Sequence, residues 1–358
     1  MNAAAHGHPV ISDLDHLLRA ADPAGVPELR AFVADLLRPT TSARFVEDRM
    51  IWRSRVHRAR FVIDGVERSL ILKRLPLDRA HREQQVLRHW LPRLGLGAHG
   101  SPLLGVAAAS GGECIWHVYE DLGPQALDAQ KPEAAKILAA VQLLAQLHVR
   151  STNCGFLGEC REFGVNLGAG FLRAGITDSA RVLSEIRSRS SDLDASQRTL
   201  VDRLLERLRV LGDEEPDRTR ILLEHGGPEV LLHGDLWTCN IFTMPSAANL
   251  PVRFIDWDHA GVGFASYDLS ALLLRFPLRE RSWIMAAYAE QVTRAGWTLP
   301  APTTLNALFA HAETARLVSA VLWPALAFLD QREGWAAARL ADVESWFDQL
   351  KPVLAIGG

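Results

Sequence analysis

The sequence predicts an α+β protein of two lobes, in which a small β-rich lobe precedes a large and mainly helical one. Two observations lead to this fold class. Residues 43–120 contain two candidate β-hairpins, whereas most of residues 121–358 carries apolar side chains at helical spacing. A chain of 358 residues is also long enough to fill one large core or two medium-sized ones.

The first hairpin is predicted from two apolar runs that flank a turn dipeptide. Residues 61–63 and 69–73 are the candidate strands, and Asp64-Gly65 between them is a strong hairpin signal. A helix is predicted next over residues 79–91, with Asp78 as its N-cap.

The other elements follow from periodicity and short apolar runs. Residues 1–42 are predicted to form a helical extension, 43–120 the first lobe and 121–358 the second, with the second hairpin over 103–119. Helices of the second lobe are expected at 132–149, 171–188, 195–213, 265–275, 280–296, 303–330 and 334–354, and short strands at 230–233 and 252–256.

Charge and composition give no reason to expect nucleic-acid or membrane-surface binding. Charged residues make up 23% of the chain, and the formal net charge is −3. Residues 1–120 carry 16 basic and 13 acidic side chains, whereas the remaining residues carry 23 and 29. This asymmetry suits a phosphate-bearing donor with a cationic acceptor, but two ordinary solvated surfaces would show it equally.

The cysteines and the N-terminal residues predict a soluble cytoplasmic protein. Cys114, Cys154, Cys160 and Cys239 show neither C-x-x-C spacing nor pairing with histidine, which favours free thiols. The first residues lack the pattern of a signal peptide. Residues 320–329, the longest apolar run, contain a proline and are too short to span a bilayer. The oligomeric state stays open.

Lysine is rare in this chain, which makes Lys73 conspicuous. Only four of the 39 lysines and arginines are lysines, and Lys73 lies in an apolar strand where arginine could not replace a compact ammonium. Glu83 follows in the predicted helix. A strand lysine paired with a helix glutamate fixes phosphates in kinase-like folds. A lysine that reaches solvent and a solvated glutamate would produce the same pattern.

The main candidate catalytic motif reads His233-Gly-Asp235-Leu-Trp-Thr-Cys-Asn240 and lies between two apolar runs. Asp256 ends another apolar run sixteen residues later. Phosphoryl transfer requires a carboxylate that orients and deprotonates the attacking hydroxyl, and oxygen ligands for Mg²⁺. Asp235 can supply the first, and Asn240 and Asp256 the second. Each residue alone could equally belong to a turn or a cap.

These motifs resemble those of the aminoglycoside phosphotransferase and choline kinase-like superfamily. Two further segments, Val118-Tyr-Glu-Asp-Leu-Gly123 and Ala145-Gln-Leu-His148, add to the resemblance, which extends over residues 43–350. It implies a bilobal protein-kinase-like fold that binds ATP and Mg²⁺ between its lobes. The second lobe would carry the catalytic loop and the acceptor-binding helices.

The resemblance implies a role for each residue of the catalytic region. Asp235 would be the catalytic base, and Asn240 and Asp256 would be ligands of Mg²⁺. His233 would brace the loop, and Asp268 would be structural.

The same resemblance makes the first lobe the nucleotide-binding one. Lys73 would contact the phosphates with Glu83 as its partner. Backbone groups of residues 119–122, among them Tyr119 and Asp121, would meet the adenine.

One part of this lobe departs from the family pattern. The family has glycines or small residues in the first hairpin, whereas this chain has no glycine between Thr40 and Asp64. An arginine-rich run that includes Arg53, Arg55 and Arg58 takes their place. These arginines either replace the backbone cradle for phosphate or form an exposed basic hairpin, and we favour the second interpretation.

The acceptor is not defined by the sequence. In the superfamily the helical lobe binds it, here about residues 259–358 with help from 155–225. Aromatic walls could hold a sugar or a quaternary ammonium, and acidic side chains could hold an aminoglycoside, an amino sugar or an amino alcohol. Core packing explains the tryptophans better, and solvated helix surfaces explain the acidic side chains equally well. They are Trp283, Trp297, Trp323, Trp335 and Trp346, with Asp258, Glu313, Asp330 and Glu333.

A second hypothesis is a non-catalytic nucleotide-binding pseudokinase or scaffold of the same fold. The joint presence of Lys73, Asp235, Asn240 and Asp256 argues against it, because such proteins commonly lack at least one of these residues. Phosphorylation of a protein hydroxyl is disfavoured, since neither an A-P-E segment nor a long activation loop follows Asp258.

Overall fold

The computed structural model of the protein describes residues 13–18, 24–38, 40, 42–52, 55–189, 193–244, 251–331 and 334–355. Arg53 and Glu333, both considered above, lie outside these residues.

The chain forms two compact units. The first consists of Met1–Gln125 with Met244–His259, and the second of Ala126–Thr243 with Ala260–Gly358. A β-sheet dominates the first unit and helices dominate the second, which confirms the predicted α+β class. Residues 244–259 belong to the first unit, whereas the predicted boundaries place them in the second lobe.

The first unit is built on an antiparallel sheet. Its strands are β1 (Ala43–Trp52), β2 (Val56–Ile63), β3 (Val66–Leu75), β4 (Leu103–Ala108) and β5 (Ile115–Glu120), in the order β1-β2-β3-β5-β4. Both predicted hairpins are present, and Asp64 and Gly65 have the positive φ angles, 49° and 78°, of a two-residue hairpin turn. Strand β1 is missing from the prediction because it is mostly exposed, so that its sequence shows no apolar alternation.

Helix α1 (Val26–Leu37) packs against this sheet and shares its core. Gly105 of β4 lies so close to the helix that a Cβ atom there would be 2.2 Å from Cζ of Phe32. Trp116 of β5 is fully buried, and its indole N–H donates a hydrogen bond of 2.9 Å to the carbonyl of Ala24. Helix α1, predicted as part of a separate extension, is therefore a component of the first unit.

The helix after β3 begins earlier than predicted. Helix α2 (Leu77–Gln85) has Pro76 as its N-cap, so the prediction of Asp78 as N-cap is wrong. Asp78 lies instead in the first turn, where a carboxylate interacts favourably with the helix dipole. A π-helical turn (Val86–Trp90) and helix α3 (Leu91–Arg93) continue the chain.

The second unit is mainly helical. Its helices are α4 (Ala134–Thr152), α5 (Leu157–Phe163), α6 (Phe171–Ser188), α7 (Ala195–His225), α8 (Ser266–Leu273), α9 (Leu278–Arg294), α10 (Pro302–Gln331) and α11 (Gly334–Asp348). The strands of this unit are β6 (Val165–Leu167), β7 (Glu229–Leu232), β8 (Ile241–Thr243) and β10 (Gly261–Phe264), while β9 (Val252–Phe254) belongs to the first unit.

Every helix predicted for this unit is present. Helix α7 runs through Pro216 to His225, beyond its predicted end at residue 213, because packing of its buried leucines against α6 and α10 outweighs the local helix-breaking signals. The short elements α5, β6 and β10 are not predicted, since segments of three to seven residues carry too little periodicity.

Helix α10 is long and apolar enough to cross a membrane by length and composition alone. Half of its most apolar window is buried inside the protein, however. Ala315, Val318 and Val321 belong to a core cluster that α10 shares with α6, α7 and α11. Helix α10 therefore packs as a core helix, which also explains its composition.

The three-stranded sheet of the second unit generates a test of packing. Strand β10 lies between β6 and β7, and a Cβ atom on Gly261 would be 2.0 Å from the backbone carbonyl of Val165. We expect Gly261→Ala to destabilise this unit by about 1–3 kcal/mol or more, because backbone cannot yield as a side chain can. Thermal unfolding would measure the loss. Gly155→Ala, at a position with open space around it, is the control, and equal melting temperatures for the two variants would contradict this account.

Candidate active site

In the first unit, Lys73 lies at the centre of a group of carboxylates. Its side chain is only 12% exposed, and Nζ lies 3.0 Å from Oε2 of Glu83. Nζ also contacts Oδ1 of Asp256 and lies 3.7 Å from Oδ2 of Asp258. The expected pairing of a strand lysine with a helix glutamate is therefore present, and it includes the aspartate after β9.

The charges of this group support one another. Burial opposes the charged form of Lys73, but the three neighbouring carboxylates outweigh it and raise the pKa of the ammonium above its ordinary value. Burial likewise opposes ionisation of Glu83, yet the ammonium of Lys73 and the ring of His117 hold the pKa of that carboxyl below its ordinary value. Lys73 and Glu83 are therefore an ion pair at neutral pH.

Glu83 is fixed by partners on two sides. The backbone N–H of Trp257 donates to Oε1 of Glu83 at 3.4 Å, and His117 Nδ1 lies 3.7 Å from Oε2. His117 Nδ1 is also 2.8 Å from the hydroxyl of Tyr119, whose side chain is buried. The side chain of Tyr119 thus belongs to the support of the ion pair, whereas sequence reasoning assigned a role only to its backbone.

Asp256 occupies an unusual backbone conformation. Its φ of 67° lies in the left-handed region, which is uncommon for residues other than glycine and is better tolerated by aspartate. The side chain contacts Lys73 and is 37% exposed, so the carboxylate is partly accessible to solvent. Asp258, two residues later, is buried; burial raises the pKa of its carboxyl, and the charge of Lys73 offsets only part of this effect.

The side chain of Asp121 is engaged within the protein. It accepts hydrogen bonds from the hydroxyl of Ser69 at 2.7 Å and from the backbone N–H of Gly123 at 2.9 Å. Arg58 pairs with the same carboxylate at 2.6 Å. Arg58 therefore anchors the segment after β5, which supports the interpretation that the arginine-rich hairpin is not a phosphate cradle.

In the second unit, the loop after β7 carries the candidate base. His233 is buried and Gly234 has a positive φ of 84°, which turns the chain so that Asp235 is partly exposed. The backbone carbonyl of Asp235 accepts hydrogen bonds of 2.9 Å from the N–H of Trp237 and from Nδ2 of Asn240. The loop is thus closed on itself, and Asp235 and Asn240 are held in one short segment.

A buried carboxylate from α8 anchors this loop. Asp268 Oδ2 accepts a hydrogen bond of 2.7 Å from the N–H of His233, and Oδ1 accepts one of 2.9 Å from the N–H of Gly234. His148 of α4 lies 3.5 Å from Oδ2 and contacts the hydroxyl of Tyr288 with its other ring nitrogen. Burial alone would raise the pKa of Asp268, but the neighbouring imidazoles and the donated N–H groups hold it below its ordinary value.

A guanidinium from α10 holds the same loop from another direction. Arg316 donates to the carbonyl of Gly234 at 3.1 Å and to that of Tyr267 at 2.9 Å. Its guanidinium lies over the ring of Tyr267, 4.0 Å from the centroid, and 3.5 Å from Glu313. The expectation that Glu313 binds a cationic acceptor does not match this placement, because its Oε1 is shared by Arg316 and Ser270.

Asp256 of the first unit and Asn240 of the second each carry oxygen atoms of the kind that Mg²⁺ prefers. Among the residues that the structure describes, no three His, Cys, Asp or Glu side chains form a metal-binding group. Asp256 and Asn240 offer hard oxygen atoms, and Oδ1 of Asn240 has the weak thiol donor of Cys239 nearby, at 3.7 Å. Mg²⁺ typically binds through one or two protein oxygens together with phosphates and water.

Sequence reasoning missed three residues that shape these groups. Arg316, Ser151 and His117 lie far in sequence from the residues that they support. Ser151 accepts the N–H of Leu231 in β7 at 2.9 Å. The only signal for Arg316 is a charge at the start of a long apolar stretch of α10, and it does not say which loop the charge contacts.

Comparisons with known proteins identify a family and a fold for this chain. A family model described as a phosphotransferase enzyme family matches residues 52–308. An ethanolamine kinase from Plasmodium vivax is similar in structure, with a TM-score of 0.57 and 14% identity over 94% of this chain and 86% of the other. A spectinomycin phosphotransferase determined with ADP and spectinomycin has a TM-score of 0.54 and 11% identity over 90% and 95%. At these identities the structural similarities show the fold alone. No curated protein sequence is significantly similar to the chain.

The anchoring carboxylate can be tested without measuring activity. In Asp268→Asn, one of the two acceptor oxygens becomes an NH₂ donor, so one buried N–H of the loop loses its partner. We expect the amides of His233 and Gly234 to exchange with deuterium about tenfold faster or more, as measured by mass spectrometry or NMR. Asp342→Asn, on the exposed surface of α11, is the control. Unchanged protection in Asp268→Asn would contradict the anchoring role.

Proposed function

We infer that this chain, which belongs to the phosphotransferase enzyme family, transfers the γ-phosphate of ATP to a hydroxyl group of a small molecule. The family match confirms the resemblance to aminoglycoside phosphotransferases and choline kinase-like proteins, and it supports a small-molecule phosphotransferase. The observation that carries the finer proposal is the loop after β7, in which a partly exposed Asp235 is held by backbone and side-chain hydrogen bonds next to Asn240.

In the proposed mechanism, Asp235 is the base. Its carboxylate accepts the proton of the acceptor hydroxyl and orients the oxygen toward the phosphate. Asp268 and Arg316 fix the backbone of residues 233 and 234, so the loop that carries the Asp235 carboxylate is ordered before the substrate binds. Such preorganisation is the main contribution that a protein makes to phosphoryl transfer.

The nucleotide is assigned to residues of the first unit. Lys73 is the candidate phosphate contact, and Glu83 keeps its ammonium charged and in place. Backbone groups of residues 119–122 would meet the adenine, with Asp121 fixing that segment. The ADP in the structurally similar spectinomycin phosphotransferase supports ATP as the donor.

Asp256 and Asn240 are the proposed ligands of Mg²⁺. When bound, Mg²⁺ would neutralise charge on the phosphates. The partly exposed carboxylate of Asp256 and the side-chain oxygen of Asn240 are the groups suited to it. We also propose a cytoplasmic location, where ATP is available and the four free cysteines would stay reduced.

The assignment of the base predicts the behaviour of Asp235→Asn. Loss of the proton acceptor should lower kcat by about 10²- to 10⁴-fold while leaving the affinity for ATP within about twofold of the wild type. Steady-state kinetics and nucleotide binding by calorimetry would measure the two effects. Asp217→Asn, at a side chain 85% exposed on α7, is the matched control. Near wild-type turnover in Asp235→Asn would rule out this base.

The assignment of the metal ligand predicts a different effect for Asp256→Asn. Removing the carboxylate should weaken ATP binding about tenfold more when Mg²⁺ is present than in EDTA. Loss of the contact with Lys73 affects both measurements, whereas loss of the metal ligand affects only the first. Calorimetric titration in both buffers gives the comparison. Equal affinities of variant and wild type in Mg²⁺ would contradict the assignment.

A further inference from the structure

A second arginine lies beside the candidate catalytic loop, on the segment that joins α8 to α9. The guanidinium of Arg275 stacks over the indole of Trp237, with Cζ 4.3 Å from the ring centroid. Trp237 stands two residues after Asp235 and is 39% exposed. Arg275 is thus a half-buried cation at the surface of the loop that carries the candidate base.

This cation has no carboxylate partner in the described part of the chain. No Asp or Glu oxygen there lies within 4.0 Å of its guanidinium, although most arginines of the second unit form such pairs. Its Nε–H is buried without a hydrogen-bond acceptor. Because Nε has almost no exposed surface, a partner from outside the chain could meet only the terminal amino groups of the guanidinium.

A neighbouring arginine strengthens the positive charge. Arg281, in the first turn of α9, donates to the carbonyls of Phe276 at 2.8 Å and Val353 at 3.2 Å, and to no carboxylate among the described residues. Burial lowers the pKa of Arg281, and the like charge of Arg275 lowers it further. The nearest acidic residue of this turn, Glu280, is already bonded to Arg279 and Trp283.

We propose that Arg275, supported by Arg281 and stacked on Trp237, binds an anionic substituent of the acceptor, so that the preferred substrate is a hydroxyl compound carrying a carboxylate or a phosphate. The guanidinium fork suits both groups. This inference rests on the proposed function, since it assigns the acceptor of the same reaction. The anionic substrate proposed here differs from the cationic acceptor that the net negative charge of residues 121–358 suggests.

The charge next to a bound substrate has more effect on its recognition than the net charge of the lobe does. The net charge of a lobe acts through solvent and is screened over about 8–10 Å at physiological salt. A stacked and half-buried guanidinium acts directly on a group bound against it, and Arg275 lies against the loop that carries Asp235. A substrate with an ammonium group at this position would be repelled by Arg275 and Arg281, whereas a carboxylate or phosphate would be attracted by both.

The test is a competition among hydroxyl compounds of matched shape and different charge. Purified protein with Mg-ATP would be given glycerate and glycerol, gluconate and sorbitol, glucose 6-phosphate and glucose, and glucosamine. Formation of phosphate monoester would be followed for each compound. We expect kcat/KM to be about 10- to 100-fold higher for the anionic member of at least one pair. Glycerate and gluconate test a carboxylate, whereas glucose 6-phosphate tests a phosphate, so the panel shows which anionic group is recognised.

Substitution of Arg275 separates substrate recognition from a purely structural role. Arg275→Gln should raise KM for the anionic acceptor about 10- to 100-fold and leave KM for ATP and the kinetics of the neutral analogue nearly unchanged. Arg275→Lys should restore part of the preference. Arg279→Gln, four residues further and 77% exposed, is the control and should retain the preference in full.

The outcomes are distinguishable. Preference for neutral or cationic compounds, or an equal loss for charged and neutral acceptors in Arg275→Gln, would overturn this inference and leave the proposed function intact. Absence of phosphate transfer to every compound, with no ATP consumption, would overturn both.

Discussion

The loop that carries Asp235 depends on one buried carboxylate. Between β7 and β8 the chain must turn sharply, and the backbone N–H groups of His233 and Gly234 then have no strand partner. Asp268 supplies an acceptor for each, at 2.7 and 2.9 Å. An unsatisfied buried N–H costs about 1–3 kcal/mol, so these two bonds decide whether the turn is populated. These two hydrogen bonds therefore fix the backbone immediately before Asp235, the candidate base.

The first unit solves a comparable problem with charge. A lysine in a buried strand is unfavourable unless carboxylates compensate for its desolvation. Glu83 and Asp256 do so for Lys73, and the burial of Glu83 in turn requires Trp257 and His117. Lys73 and Glu83 depend on each other, since removing either side chain would leave the other as an uncompensated buried charge. Both units therefore use a paired, buried ionic group to fix a side chain that is assigned to the reaction.

Much of this arrangement was predictable from sequence, and the limits have physical reasons. The Asp64-Gly65 turn, the strand around Lys73 and the 233–240 motif carry strong local signals, so the fold class and the Lys73–Glu83 pair follow from them. Asp78 is misplaced because a proline at residue 76 competes for the N-cap position. Arg316, Ser151 and Arg275 act through contacts across long sequence separations, which no local pattern encodes. The ion pair between the Asp121 carboxylate and Arg58 likewise joins residues that are far apart in sequence, so no local pattern predicts it.

The most direct test of the account is to identify the product of the reaction. Protein, Mg-ATP and a panel of hydroxyl compounds would be followed by ³¹P NMR. The account predicts a new phosphate monoester resonance that grows in step with ADP, from one compound class, and that is absent with Asp235→Asn. ADP accompanied only by inorganic phosphate, or ester formation that persists without the Asp235 carboxylate, would contradict it.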